Sequence, residues 1–197
     1  MTSARPFTIL VVCTGNICRS PLAEQLLSAR LADSPTPYVV MSAGTMAEDG
    51  APMDVEAAEQ SRAHGGDPES HEATYLTEML AESADLVLAA GRDHRSAVVK
   101  MSPRASRRTF TLRQFARVAA VIDPAELREA DGPVDVVRIV ASSRGLVPPL
   151  EEPTDDDVVD PYRRSLDVHA RAASDIDAAV DDIVRALRAP EGSQVRG

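Results

Sequence analysis

The sequence has no tryptophan and few other aromatic residues, since its 197 residues include only three phenylalanines and three tyrosines. Its core must be built from Val, Leu, Ile and Ala, and hydrophobic residues make up 44% of the chain. No apolar run approaches the ~18 residues of a membrane span, and no charged start followed by an apolar stretch indicates a signal peptide. We therefore expect a soluble, cytoplasmic protein that does not contact a membrane.

Positive charge is also scarce. The 21 Lys and Arg residues against 31 Asp and Glu give a net charge of −10, and Lys100 is the only lysine. Binding to the phosphate backbone of nucleic acids requires clustered positive charge, so we expect no nucleic-acid partner. The length corresponds to a single domain over residues 1–197.

Cysteine is rare, and Cys13 and Cys18 are the only two. Two cysteines are too few for a disulfide scaffold, and their spacing fits no four-ligand zinc site. We expect no metal centre. Both cysteines lie close together near the N-terminus, which makes their position more informative than their number.

Short apolar segments alternate with helical patterns along the chain. Runs rich in β-branched residues predict buried strands, and apolar residues at intervals of three and four predict helices. The alternation predicts an α/β fold with an open, mostly parallel sheet of four strands and helices on both faces. The predicted strands are 7–12, 38–41, 84–90 and 109–112, and the predicted helices are one after Ser20 and those at 54–63, 74–82, 93–101, 124–129, 134–142 and 165–187.

Three segments fall outside this alternation. Residues 114–152 are less regular and are predicted to form an extra helical insert. Residues 148–157 are rich in proline and acid and predict a loop. Residues 189–197 are polar and are expected to form a flexible tail.

The first predicted strand leads into the segment Cys13-Thr14-Gly15-Asn16-Ile17-Cys18-Arg19-Ser20-Pro21. Ser20 and Pro21 are predicted as the N-cap and the first residue of the next helix. The backbone N–H groups of such a loop, with the helix dipole behind them, can bind a phosphate or sulfate ion. Arg19 can close a bidentate fork over two of its oxygens, and Gly15 permits a close backbone approach or a positive φ angle.

The same field favours the thiolate form of Cys13. A thiolate beneath a bound phosphate is positioned for in-line attack at phosphorus. The alternative is a buried cysteine, a Ser-Pro helix cap and a solvated arginine. The position of the loop between a strand and a helix, together with its Gly, Asn, Ser and Pro residues, favours the catalytic interpretation.

The segment Val12–Glu24 (VCTGNICRSPLAE) resembles the signature loop of the low-molecular-weight protein tyrosine phosphatases. The resemblance continues through Ser42-Ala43-Gly44-Thr45, Ser70-His71, Asp85-Leu86-Val87-Leu88, Phe110-Thr111-Leu112 and Asp160-Pro161-Tyr162. It implies the flavodoxin-like fold of that family. It also implies hydrolysis of phosphotyrosine in proteins, or of aryl phosphates, through a cysteinyl-phosphate intermediate without metal or cofactor.

Carried over by residue, the resemblance implies that Cys13 is the nucleophile, Arg19 the phosphate clamp and Asp160 the general acid and base. It further implies that the phosphate is bound by Thr14, Gly15, Asn16, Ile17, Cys18 and Ser20. Ser42 and His71 would support the loop, and Tyr162 would form a wall beside the substrate ring. From the residues alone, Asp155, Asp156 and Asp157 compete with Asp160, and only the family motif selects Asp160.

Other residues have weaker implications. Cys18 corresponds to a second cysteine common in the family, which can trap an oxidised nucleophile as a reversible disulfide. Its alternative is a small buried side chain. Ser42 and His71 are otherwise a strand-end serine and a surface histidine. The remaining histidines are expected to be structural or solvated: His64, His94 and His169.

The sequence also departs from the family pattern. Ile17 stands where the related arginine phosphatases typically carry Thr, which favours the tyrosine-directed branch. Arg163 and Arg164 follow Tyr162, where they can either recruit acidic phosphopeptides or pair with the nearby run of aspartates. Residues 46–53 lack the aromatic residue common there. Thr74 and Gly91 stand where Arg and an acidic residue are common. The long stretch 114–152 is expected to cap the active site.

Two alternative functions remain. Arsenate reductases on the same scaffold relay oxidation through cysteines distant from the loop, whereas this chain has only Cys18 besides Cys13. A non-catalytic phosphoprotein-binding module would be favoured by loss of the nucleophile, the arginine or the acid. Cys13, Arg19 and Asp160 are all present.

Overall fold

A computed structural model describes residues 5–196 of the chain. Four strands form one parallel sheet in the order β2-β1-β3-β4, which confirms the predicted α/β fold. The strands are β1 (Phe7–Cys13), β2 (Tyr38–Gly44), β3 (Leu86–Ala89) and β4 (Thr109–Thr111), and the helices are α1 (Arg19–Leu31), α2 (Val55–Ala63), α3 (Glu78–Ser83), α4 (Arg92–Met101), α5 (Leu112–Ala119), α6 (Pro124–Arg128), α7 (Pro133–Ser142) and α8 (Leu166–Arg188).

Helices cover both faces of the sheet. Side chains alternate along a strand, so Ile9 and Val11 of β1 belong to the hydrophobic core on one face and Leu10 and Val12 to the core on the other. The first core also includes residues of α1, α2, α5, α7 and α8, and the second is formed with α3, α4 and a 3₁₀ helix at Pro103–Arg108. Both faces of β1 are therefore apolar, as a central parallel strand requires.

The strand order places β1 beside β3, and the register pairs Val12 with Ala89 near the ends of both strands. The helices that follow these two strands leave toward opposite faces of the sheet, because α1 packs in one core and α4 in the other. Such a crevice at the carboxyl ends of neighbouring strands is where open α/β sheets bind ligands. The loop after Cys13 and the start of α4 meet there.

Several predicted element ends differ from the structure by a few residues, and side-chain hydrogen bonds explain two of them. The helix after the loop begins at Arg19 with Cys18 at its N-cap, and no side chain caps it. The prediction of Ser20 as N-cap is wrong because its hydroxyl faces the Cys13 sulfur instead. The fourth strand ends at Thr111, whose hydroxyl oxygen accepts from the Gln114 N–H at 3.0 Å and caps α5.

The helix predicted over residues 74–82 forms only from Glu78 to Ser83. The Thr74 N–H donates to Asn16 Oδ1 at 2.8 Å, and the Leu76 N–H donates to the Gly44 carbonyl at 2.9 Å. Because these two N–H groups bind the loop and β2, the backbone before α3 is held outside the helix. Its partners lie far away in the sequence, where local periodicity carries no information about them.

Residues 114–152 hold most of α5 together with α6 and α7. The expectation that they cap the active site is wrong for α7. Its first turn, at Pro133 and Asp135, lines a cavity of about 480 Å³ together with Phe7 and Pro37. Phe7 and Pro37 lie at the amino ends of β1 and β2, so this cavity is at the end of the sheet opposite to Cys13.

The segment after α8 continues as a 3₁₀ helix over Ala189–Arg196. Glu191 accepts from the Arg188 side chain at 3.0 Å and from the Ser34 hydroxyl, and Pro190 is buried. Residue 197 of the expected tail lies outside the described residues, and the flexibility of the tail stays a prediction. None of the helices described is both long and apolar enough to cross a bilayer.

Candidate active site

The loop between β1 and α1 folds back over the Cys13 side chain. Cys13 is 2% exposed, and the Asn16 N–H donates to its Sγ at 3.3 Å. Of the two features that Gly15 would permit, a close backbone approach or a positive φ angle, the positive φ occurs instead at Asn16, with φ of 55°. Asparagine tolerates this left-handed conformation better than most residues. The turn directs a backbone N–H at the sulfur, as the predicted anion site requires.

Gly44 at the end of β2 supports the loop from beneath. A Cβ atom at this position would lie 2.5 Å from the Thr14 carbonyl oxygen and 2.9 Å from the Asn16 nitrogen. The loop also accepts backbone hydrogen bonds from the residues that follow, since the Thr45 N–H donates to the Cys13 carbonyl at 3.0 Å and the Met46 N–H to the Thr14 carbonyl at 2.8 Å. Only glycine allows this close packing of the loop against β2.

A polar network holds the sulfur from the buried side. Ser20 Oγ lies 3.0 Å from Cys13 Sγ. Asn16 Nδ2 donates to Ser20 Oγ at 2.9 Å and to Ser42 Oγ at 2.7 Å. Because Ser20 accepts from Asn16, its own hydroxyl hydrogen can point at the sulfur or at the Ala43 carbonyl, which lies farther away at 3.5 Å.

The network continues from Ser42 to Glu24, whose carboxylate accepts the Ser42 hydroxyl. Burial raises the pKa of Glu24, and the hydrogen bond from Ser42 opposes that shift. The structure thus brings Ser20 and Ser42 together beneath the loop, and sequence reasoning did not include Glu24 in the site.

Asn16 is fixed on its other side by residues from the segment before α3. His71 Nε2 donates to the Asn16 carbonyl at 2.7 Å, which requires the tautomer protonated at Nε2. The Thr74 N–H binds Asn16 Oδ1. His71 therefore contacts the loop, as the resemblance implied, and Thr74 contributes its backbone rather than its side chain.

Arg19 points over the same loop from the first turn of α1. Its Nη2 lies 3.1 Å from Asp160 Oδ2, and its Nη1 donates to the Val158 carbonyl at 3.2 Å. Arg19 Nε is buried and has no hydrogen-bond partner among the described residues. The Arg19 side chain is 7% exposed and that of Asp160 57%, so the guanidinium is fixed while the carboxylate remains accessible.

The structure distinguishes Asp160 from its competitors. Asp156 forms an ion pair with Arg117 at 2.9 Å and is buried. Asp157 accepts the Arg92 N–H at 2.7 Å, at the start of α4. Gly91 packs against this carboxylate, since a Cβ there would lie 3.2 Å from Asp157 Oδ1. Of the four acids, only Asp160 lines the cavity that contains Cys13.

That cavity has a volume of about 330 Å³. The loop forms its floor, Asp160 and Tyr162 lie on one side, and Met46, Glu48 and Ala51 line the remainder. Tyr162 is 44% exposed, and the Arg163 guanidinium lies 5.0 Å from its ring centroid. Tyr162 is therefore the aromatic side chain that borders the cavity. In the segment 46–53, which lacks the aromatic residue common in the family, Met46 lines the cavity.

Two further residues touch the loop. His94, which we expected to be structural or solvated, lies on the first turn of α4 with Nε2 at 2.8 Å from Thr14 Oγ1. Burial, and then the positive charge of Arg19, lower the pKa of His94, which favours its neutral form. Its position just after β3, the neighbour of β1, was the signal that sequence reasoning missed.

Cys18 is buried at the N-cap of α1 and, like Cys13, is a free thiol. Burial, and then the negative charge of Asp54, raise the pKa of the Cys18 thiol. Cys18 therefore favours the neutral thiol. Both cysteines line the same cavity.

Within the described part of the chain, Asp54, Glu56 and His169 form the one group of side chains spaced to hold a metal ion. Asp54 already accepts the Ala57 N–H as the N-cap of α2. None of the three lines the cavity above Cys13, so chemistry at the loop does not require them.

Comparison with known proteins agrees with this geometry. Residues 8–143 match the family model described as low molecular weight phosphotyrosine protein phosphatase. The chain is 39% identical over 118 residues to the low molecular weight protein-tyrosine-phosphatase Etp of Escherichia coli K12, covering 59% of this chain and 76% of Etp. It is 32% identical to the probable low molecular weight protein-tyrosine-phosphatase EpsP of Ralstonia nicotianae, covering 92% of this chain and 97% of EpsP. It is also 28% identical to the protein-arginine-phosphatase of Geobacillus stearothermophilus, covering 93% and 97%.

Solved structures give the same result. The tyrosine phosphatase AmsI of Erwinia amylovora superposes with a TM-score of 0.67 at 26% identity, covering 95% of this chain and 97% of AmsI. Wzb of Vibrio vulnificus, in complex with benzylphosphonate, superposes with a TM-score of 0.63 at 29% identity, covering 90% and 96%. The chain therefore belongs to the low molecular weight phosphotyrosine protein phosphatase family, and it is a phosphatase.

Proposed function

We propose that this chain hydrolyses phosphotyrosine in proteins through a phosphate ester on Cys13. The observation that carries the proposal is the convergence of Cys13, Arg19 and Asp160 on one cavity of about 330 Å³. These three residues supply a nucleophile, a fixed positive charge and an accessible carboxyl group. The relatives named as tyrosine phosphatases, and the benzylphosphonate bound to the structural neighbour Wzb of Vibrio vulnificus, support an aryl phosphate as substrate.

In the first step the substrate phosphate binds to the backbone N–H groups of the loop and to the Arg19 guanidinium. Both hold the dianion while charge moves onto its oxygens in the transition state. The Cys13 thiolate attacks phosphorus, and an S–P bond forms as the P–O bond to the tyrosine ring breaks. The leaving phenolate takes a proton from Asp160, because an unprotonated phenolate is a poor leaving group.

In the second step a water molecule attacks the phosphorus atom of the intermediate. Asp160, now a carboxylate, takes a proton from this water while the S–P bond breaks. The electron pair of that bond returns to Cys13 as a thiolate. The Ser20 hydroxyl, 3.0 Å from Sγ, stabilises the thiolate as it leaves. Inorganic phosphate is released.

The identity of the amino acid that carries the phosphate is the finer part of the proposal. A relative is named as a protein-arginine-phosphatase, so phosphoarginine is the second candidate. Ile17 lines the cavity, and its apolar side chain favours contact with a tyrosine ring over a guanidinium. The cytoplasmic location stays a prediction.

The test compares matched peptides that carry phosphotyrosine or phosphoarginine, with release of inorganic phosphate as readout. We expect hydrolysis of the phosphotyrosine peptide and of p-nitrophenyl phosphate, unchanged by a chelator and abolished in Cys13→Ser. Faster release from the phosphoarginine peptide would overturn the substrate assignment. Retained activity in Cys13→Ser would overturn the mechanism.

The same preparation separates the two remaining alternatives. Binding of phosphotyrosine peptide without phosphate release would identify a phosphoprotein-binding module. Reduction of arsenate with no hydrolysis of aryl phosphates would identify an arsenate reductase.

A further inference from the structure

A second cavity lies between the 3₁₀ helix Pro103–Arg108 and α7, and it has a volume of about 410 Å³. Four of its lining residues are arginines: Arg107, Arg108, Arg138 and Arg144. Val137 and Ala141 of α7 form an apolar wall. We call this cavity the arginine cleft. It shares no residue with the cavity above Cys13.

The arginine cleft holds positive charge with no carboxylate in its own lining, although Arg138 also lines the cavity of about 480 Å³ that contains Asp131 and Asp135. The net charge of the protein is −10, yet no aspartate or glutamate lines the cleft among the described residues. Nine arginines outside the cleft form ion pairs with carboxylates: Arg5, Arg19, Arg30, Arg62, Arg92, Arg113, Arg117, Arg185 and Arg188. Arg95, Arg104, Arg163, Arg164 and Arg171 form no ion pair with a described residue, but they do not line the cleft. None of the four arginines of the cleft forms an ion pair with a described residue.

Two of these guanidinium groups are fixed in place by uncharged partners. Arg144 Nη2 donates to the Thr109 carbonyl at 2.7 Å, and its guanidinium lies 3.8 Å from the centroid of the Phe110 ring. Arg108 Nη2 donates to the Glu82 carbonyl at 3.1 Å. Carbonyl oxygens satisfy hydrogen bonds but do not neutralise a unit charge.

The same two side chains retain unused donors. The Nε atoms of Arg108 and Arg144 are buried without a partner in the described structure. Burial, and then repulsion by the nearby Arg95, lower the pKa of Arg144 to about 10. Positive charge at this place is therefore destabilised in the absence of an anion. An anion bound near this guanidinium would offset its repulsion by Arg95.

We propose that the arginine cleft binds a small polyanion that carries adjoining phosphate groups. A guanidinium group presents its N–H donors in a planar fork that matches two oxygens of a phosphate. Four arginine residues line the cleft, and their combined charge matches the several charges of a di- or triphosphate better than the single charge of a carboxylate. The volume is in the range of small-molecule sites, which favours a compact ligand over a macromolecule.

The cleft is independent of the proposed catalytic function. Arg138 lies on α7 and Arg144 just after it, both within the stretch 114–152 that departs from the family pattern. Through these two residues the stretch contributes to a ligand site away from the cavity above Cys13.

The test measures the binding of inorganic tripolyphosphate to the full chain by titration calorimetry. Arg107 and Arg138 are exposed and make no ion pair, so replacing them does not remove a contact of the fold. We expect the double variant Arg107→Ala, Arg138→Ala to bind at least about tenfold more weakly, because charge-assisted hydrogen bonds are lost. The control variant Arg62→Ala, Arg185→Ala removes the same charge elsewhere and should bind like the wild type.

Any binding at the catalytic loop is common to all variants, so the comparison isolates the cleft. Equal weakening in the two double variants would show only non-specific attraction and would overturn the proposal. If no part of the binding of tripolyphosphate depends on Arg107 and Arg138, the proposal is overturned as well. Binding of citrate as tightly as tripolyphosphate would overturn the choice of phosphate. The single variant Arg107→Ala repeats the comparison with a smaller change to the protein.

Discussion

The Arg19 guanidinium lies 3.1 Å from the Asp160 carboxylate, so the proposed phosphate clamp and the proposed proton donor contact each other directly. Arg19 is buried and is also held by the Val158 carbonyl, whereas Asp160 is more than half exposed. A phosphate dianion that binds Arg19 competes with Asp160 for the guanidinium. Substrate binding would thereby release the carboxyl group toward the leaving oxygen.

The role of Asp160 predicts a dependence on the leaving group. Asp160→Asn should lower kcat for phenyl phosphate by about 10²- to 10⁴-fold, the usual contribution of a positioned acid. Substrates whose leaving groups need no proton should lose much less. Steady-state kinetics on a series of substituted aryl phosphates measures this difference, with Asp155→Asn as the control that retains activity. Equal losses across the series would rule out a general acid at Asp160.

The close packing of the loop against Gly44 predicts that a larger residue at this position destabilises the protein. Gly44→Ala places a methyl group 2.5 Å from the Thr14 carbonyl oxygen and 2.9 Å from the Asn16 nitrogen, both of which are backbone atoms. We expect a loss of about 1–3 kcal/mol in the free energy of unfolding, as is typical of overpacking, and reduced kcat. Urea unfolding measures the first quantity. Gly145→Ala, where a Cβ meets nothing within 4 Å, is the matched control; equal stability of the two variants would contradict the packing.

His94 predicts a pH dependence of stability. Burial and Arg19 lower its pKa in the folded protein, so the unfolded chain binds a proton at a higher pH than the folded chain does. The free energy of unfolding should therefore fall as the pH decreases below about 6.5, the ordinary pKa of histidine. His94→Gln, which can keep a hydrogen bond to Thr14, should lose less stability over the same range. Urea titrations at several pH values between neutral and mildly acidic test this, and identical slopes for the two proteins would exclude the contribution.

Cys18 predicts reversible oxidation. If Cys18 traps oxidised Cys13 as a disulfide, peroxide should inactivate the wild type and a dithiol should restore its activity. In Cys18→Ala, oxidation of Cys13 should proceed to a state that a dithiol does not reduce. Activity before and after dithiol treatment measures this. Full recovery of the variant would show that Cys18 does not protect the nucleophile.

Local signals in the sequence were sufficient for the loop and for the long helix. Cys13 and Arg19 are close in the chain and flanked by a strand and a helix, so their neighbourhood could be predicted. The spacing of Ile176, Val180 and Ile183 predicted α8 because burial on one face of a helix follows directly from periodicity.

Contacts between distant segments could not be predicted in the same way. Thr74 leaves the helical pattern because its N–H binds Asn16. Ser20 does not cap its helix because its hydroxyl faces the Cys13 sulfur. Asp156 and Asp157 are engaged by Arg117 and Arg92, and no local pattern reveals these pairs.

The central claim is that phosphate passes through Cys13. The most direct measurement is a rapid quench of the enzyme into alkaline denaturant during turnover of a phosphotyrosine peptide, followed by mass spectrometry of the peptide that contains residues 13–19. The account predicts phosphate on Cys13 in the wild type and no phosphorylated peptide in Cys13→Ser. Turnover without phosphocysteine under conditions that preserve it, or phosphate on another residue of the wild type, would contradict the account.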